Sequence, residues 1–231
     1  MDPRSCPIAG ACLRARLLGW FAKRLIGGLK VEPLADAEPV ELARLHLGLA
    51  CRGRLVLAGL GHFRLMWPAD AGKAWEGVLL AKGPDFAEAS LRLVLEAAEA
   101  KGHVPTAVKS ARCSADIPFR RVDNLPWTVR MLYLLPKPHR ERVLSDFADL
   151  LRDLVRRWLD WALDERTGLV RPDLPYDWLD TVRRPSSAYA NHVAAEMLRE
   201  SLELGLLDDP RPYERLVGAV MARLWDGSKF V

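Results

Sequence analysis

The chain has 231 residues, half of them apolar and 28% charged, which is enough to bury one sizeable core and argues for a single folded domain. Its formal net charge is +4, and acidic residues are interspersed with basic ones throughout. The sequence therefore lacks the one-sided basic stripe of a nucleic-acid binder and the compositional bias of a disordered chain.

Residues 1–35 form an N-terminal extension whose apolar stretches are broken by Arg14, Arg16, Lys23 and Arg24. These charges leave too short an apolar run for a signal peptide or a membrane span, so a cytoplasmic protein is expected. Cys6, Cys12, Cys51 and Cys113 show no metal-ligand spacing, and a disulfide framework is not expected in a chain of this size. No metal or organic cofactor is implied. Asn is scarce and Gln absent, a bias shared by thermophiles and by genomes rich in GC.

From residue 36 the pattern is helical almost throughout. The spacing predicts a first helix over about 39–51. A short strand candidate follows at Arg54–Ala58. A second helix begins near Asp70 and ends before Gly83-Pro84. A third opens at Asp85, with Glu88 three residues on in the manner of a capping box, and stops at Gly102. A fourth spans about 125–135 and ends at the Pro136 and Pro138 punctuation. The fifth is the clearest: Val143, Phe147, Leu150, Leu151, Leu154, Trp158, Trp161 and Ala162 recur at three- and four-residue steps. A sixth starts after Pro185, capped by Ser186 or Ser187. A seventh carries Leu216, Val217, Val220, Met221 and Leu224. About seven helices thus alternate with terse connections and with two long, polar, aromatic-rich loops, 103–123 and 166–185. Short loops at one end and long loops at the other are what an α/α barrel requires.

Three clusters carry chemistry. They are His62–Asp70, then Gly102–Pro105 with Asp123–Trp127, and Tyr176–Thr181 with Ser187–Asn191. Each joins a Trp to carboxylates, the equipment for stacking a sugar ring and hydrogen-bonding its hydroxyls. Each residue also has a plainer reading. Asp70 and Asp123 precede helices and could cap them. Trp67, Trp127 and Trp178 could be core anchors. Asp180 could be a turn residue. The pairs Arg120-Arg121, Arg156-Arg157 and Arg183-Arg184 read as solvated edges, Glu196 and Glu200 as solvent-exposed, and Asp208, Asp209 and Glu214 as turn and cap residues.

The order of the clusters resembles the six-hairpin glycosidases, the superfamily of glucoamylase-like enzymes and of the glucosidase domain of glycogen-debranching enzymes. Arg64, Trp67 and Asp70 in "GHFRLMWPADAG" match an early W-x-R-D-like signature, with Ala69 where the family usually has Arg. Gly102, His103, Val104 and Pro105 match a G-x-I-P loop. Asp123 and Trp127 in "RVDNLPW" follow, and Trp178 and Asp180 in "YDWLDT" match a W-x-D loop ahead of a helix with an early Asn, Asn191. The resemblance implies an all-α fold, an α/α toroid in which residues 36–231 supply an incomplete barrel of about seven helices. It implies Asp180 as general acid, with Arg64, Trp67, Asp70, His103, Asp123, Trp127, Trp178 and Asn191 as substrate contacts. It also implies an oligosaccharide or α-glucan substrate and an inverting mechanism. The second carboxylate of that family lies in the later half of its barrel. A second chain or a second copy is therefore expected to complete this one, and a non-catalytic sugar-binding domain is the alternative.

Overall fold

The computed structural model describes residues 38–59, 64–117, 119–174 and 187–230. The extension 1–35 and the Tyr176–Thr181 part of the third cluster lie outside the described residues. Among the described residues, seven helices and four short strands follow in chain order: α1 (Pro39–Ala50), β1 (Cys51–Arg52), β2 (Leu55–Val56), α2 (Pro68–Lys73), α3 (Trp75–Lys101), β3 (Ala107–Ser110), β4 (Cys113–Ala115), α4 (Asn124–Leu134), α5 (Lys137–Ala162), α6 (Ala188–Glu203) and α7 (Arg211–Arg223).

Two rows of helices make the body. Helices α2, α4 and α6 pack side by side as one row, and α3, α5 and α7 back them as the other. The fold is thus all-α and toroid-like, as the sequence predicts. The core lies between the rows. Leu91, Val94 and Leu95 of α3 meet Val129 and Leu132 of α4, Leu151, Leu154 and Trp158 of α5, and Met197 and Leu198 of α6. The predicted apolar face of α5 is buried as drawn, with Phe147, Leu150 and Trp161 at its half-exposed margin.

Punctuation sets the boundaries. α3 breaks internally at Gly83, which sits at φ 79°, ψ 171°, ahead of Pro84. Only glycine reaches that conformation cheaply, and proline removes a helical donor, so the expected stop and restart are both present. The start of α3's second half differs from expectation. Glu88 does not fold back as a capping-box partner. Its carboxylate is taken by Arg92 at 2.9 Å and Arg142 at 2.6 Å, and Asp85 faces His139. The Oγ of Ser187 caps α6 by accepting the Ala190 N–H at 3.1 Å. Asp209 is the expected turn residue, accepting the Arg211 N–H.

The connections alternate as predicted, short from α4 to α5 and from α6 to α7, long into α4 and α6. The antiparallel hairpin β3–β4 inside the first long loop is not signalled by alternation in the sequence. It exists because the segment carrying Trp67 needs partners. Met66 exchanges backbone hydrogen bonds with Val108 at 3.0 and 2.7 Å and bridges Leu57 on its other side. The strand expected at Arg54–Ala58 supplies that other side. Cys51 is a free buried thiol, and Cys113 is disulfide-bonded, a bridge not expected from the sequence.

Gly72 allows the closest approach in the inner row. A Cβ there would stand 2.7 Å from the Trp127 Cβ and 3.1 Å from the Trp127 carbonyl oxygen. Gly72→Ala is expected to push α2 off α4 and cost about 1–3 kcal/mol, measured as a lowered urea midpoint with unchanged helix content.

Candidate functional site

The site is built where the long loops enter α4 and α6. Arg121, the last basic residue of the first long loop, is 4% exposed and Asp123 is 0% exposed. The Arg121 guanidinium donates to both carboxylate oxygens, Nε to Oδ1 at 3.0 Å and an Nη to Oδ2 at 2.9 Å. A charge pair without water must be geometrically matched to hold, and a two-pronged guanidinium–carboxylate contact is the matched form. Asp123 therefore does not cap α4: it occupies the N-cap position without a side-chain cap bond. Nor is Arg121 a solvated edge. Arg120 beside it stacks on Trp161, 3.8 Å from the ring centroid.

Tyr189, in the first turn of α6, links this pair to an aromatic wall. Its hydroxyl donates to Asp123 Oδ2 at 3.0 Å and accepts the Trp127 indole N–H at 2.9 Å. Burial and the Asp123 carboxylate beside it push the Tyr189 phenol well above its usual range, so it stays protonated and keeps donating. The indole edge is committed to this bond. Lys73 at the end of α2 lies with its ammonium 5.3 Å from the Tyr189 ring centroid and 6.0 Å from that of Trp127. These residues border a cleft of about 450 Å³ between α2, α4 and α6, lined also by Arg130, His192 and Glu196. The volume suits a small ligand.

Asp70 sits beside this network. The helix begins at Pro68, so Asp70 is its third residue and not its cap, and no hydrogen bond or ion pair from a described residue holds its carboxylate. Burial raises its pKa, Lys73 and Arg121 pull it back, and the Asp123 charge adds to the rise. A half-buried carboxyl with no hydrogen-bond partner among the described residues, near a guanidinium and an ammonium, can accept or give a proton.

The other predicted contacts are distributed unevenly. Trp67 is half-buried at the N-cap of α2, and Arg64 is exposed at the edge of the same segment. His103 is not at the cleft wall. Its Nε2 meets Asp116 at 2.8 Å, and Asp116 also accepts the Thr106 N–H, so this pair shapes the first long loop. Asn191 is fully buried. Its Oδ1 accepts the Val170 N–H at 2.9 Å and its Nδ2 donates to the Ser187 carbonyl at 2.8 Å, so it positions loops and does not reach the cleft as a sugar contact. Trp178 and Asp180 lie outside the described residues. Glu200 is a correction of a different kind. It is wholly buried, bonded to Arg130, and its pKa is raised by burial despite that partner. The sequence reading missed Arg121, Lys73 and Tyr189. Only the residue types of Arg121 and Tyr189, flanking Asp123 and following the W-x-D loop, could have drawn attention to them.

Two layers of helices, with a ligand-sized cleft between α2, α4 and α6 that runs along the inner row from Trp127 to Leu134, define an all-α, toroid-like protein. The structure is similar to that of a rhamnosidase from Klebsiella oxytoca with rhamnose bound, with a TM-score of 0.57 and 18% sequence identity over 84% of this chain. The match covers 40% of the rhamnosidase chain, so this protein spans less than half of that neighbour's length. No protein-family profile matches the chain, and no curated protein matches it. The likeness is one of fold and bears out the glycosidase-like toroid.

Three outcomes follow, from the buried pair, from Tyr189 and from Asp70. Asp123→Ala leaves the Arg121 guanidinium buried and unpaired, and is expected to cost about 3–5 kcal/mol in chemical denaturation. Tyr189→Phe removes one hydroxyl and should cost about 1–3 kcal/mol. For Asp70, the folded pKa lies above the ordinary 3.8. Its contribution to stability is full below the unfolded pKa and is lost as pH rises through the folded one. Asp70→Asn should therefore be more stable than the parent at neutral pH. That advantage should shrink as the pH falls through the folded pKa, as read from urea midpoints across an acid-to-neutral series.

Proposed function

We propose that this chain is a glycoside-hydrolase-type protein that takes an oligosaccharide into the cleft between α2, α4 and α6. The observation that carries this reading is the joining of Trp127, Tyr189, Asp123 and Arg121 in one bonded array on a toroid fold shared with a rhamnosidase. Trp127 has its N–H edge fixed to Tyr189, which orients the indole as a platform for the apolar face of a sugar ring. Asp70 is not part of the cleft wall; it lines a neighbouring hollow with His46, Ala58 and Ala71, within electrostatic reach of Lys73, Arg121 and Asp123.

Asp123 is not proposed as the proton donor or base. Both its oxygens are engaged by Arg121 and one also by Tyr189. Its part is to fix the platform. The proton donor in this reading is Asp180, two residues after Trp178 in the sequence, in a single-displacement mechanism in which a second carboxylate activates water. The α-glucan class expected from the sequence is the first substrate to test. Rhamnosides are the second, because the neighbouring structure carries rhamnose. The engagement of both Asp123 oxygens favours one other reading, a sugar-binding module without hydrolysis, with the base supplied by a partner chain or absent.

Hydrolysis of α-glucan and rhamnoside oligosaccharides by the purified chain, beside Asp180→Asn and Trp127→Ala, separates these. The hydrolase reading expects Asp180→Asn to lower kcat by about 10²–10⁴ while sugar-dependent thermal stabilisation persists. It expects Trp127→Ala to abolish that stabilisation. Stabilisation with no turnover by the parent supports the binding module. Neither turnover nor stabilisation overturns both.

A further inference from the structure

The cleft holds a cation whose placement says more about the ligand. Lys73, Arg130 and His192 come from three different segments of the inner row, α2, α4 and α6, and all line the cleft. Arg130 is anchored from behind by the buried Glu200, which fixes the guanidinium in the cleft wall. Glu196, on the same wall, is held by Arg199 at 2.9 Å, with Arg130 3.9 Å away. The other lining carboxylate, Glu76, is exposed in the first turn of α3, where the helix dipole favours its charge. Lys73 makes no ion pair with any described carboxylate, and its ammonium hangs over the faces of Tyr189 and Trp127.

A ring that stacks on this platform has to share it with that ammonium. A neutral sugar lifts the cation off two aromatic faces and gives it only hydroxyls in return. A sugar bearing a carboxylate brings a charge for Lys73 to bind, with Arg130 and His192 within the same cleft. We propose that the cleft selects an acidic saccharide, a uronate-bearing oligosaccharide, with Lys73 as the specificity-determining residue. This rests on the reading of the cleft as a sugar site.

The test is equilibrium binding of glucuronate and digalacturonate, against glucose, rhamnose and maltose, to the full chain at low salt. The expected result is uronate affinity at least about tenfold above that of the neutral sugars, falling as salt is added. Lys73→Met should bring uronate affinity down to the neutral level, and Lys73→Arg should restore most of it. Lys73 is exposed, so neither variant disturbs the core; circular dichroism checks this. Neutral sugars binding as tightly as uronates, or uronate binding that survives Lys73→Met, overturns the acidic preference and leaves the sugar site standing. Binding of no saccharide of either kind overturns the sugar site itself.

Discussion

The contact between Arg121 and Asp123 is the constraint on which the site depends. Two opposite charges with almost no solvent exposure are costly to bury, and they are tolerable only because the guanidinium meets both carboxylate oxygens. That requirement fixes where the first long loop ends and α4 begins. It also leaves Asp123 Oδ2 to receive the Tyr189 hydroxyl, which ties α6 to α4. The Trp127 N–H then closes the array on the same hydroxyl. One pair thus sets the position of two helix starts and the tilt of one indole.

The layers behind this array explain its rigidity. Trp158 of α5 donates its indole N–H to the Val122 carbonyl at 2.8 Å, one residue from the buried pair, so the outer row holds the loop that the inner row uses. Gly72 lets α2 come against the Trp127 backbone with nothing between them. On the other wall, Glu200 lies in the interior with Arg130 as its counter-ion, and Arg130 presents its remaining surface to the cleft. In each case a buried group behind the site fixes the position of a residue at the site or next to it. Chemistry at the surface is supported by polar contacts below it.

Much of the fold was legible in the sequence. Period-3.6 burial identified α5, Gly83-Pro84 identified the break in α3, and Ser187 identified the start of α6, because each signal is local. The alternation of loop lengths identified the two-layer plan. The misses were long-range. The β3–β4 hairpin forms around Met66, far away in the chain, and no short window can show that. Glu200 looked like a surface residue because its partner Arg130 lies on another helix. Arg121 looked like half of a solvated pair because only the fold shows that Asp123 is sealed beneath it. Within the site, Trp127, Asp123 and Asp70 stood out by residue type. His103 and Asn191, expected as substrate contacts, turn their hydrogen bonds to loop segments and not to the cleft.

Asn191 works as a clasp between segments distant in the chain. Its one side-chain amide takes the Val170 N–H and gives a hydrogen to the Ser187 carbonyl, so the segment that leaves α5 and the residue that opens α6 are held by a single side chain. Two buried backbone groups are satisfied together. Ser187 in turn caps α6 through its Oγ. The placement of Tyr189, two residues on, is inherited from this clasp.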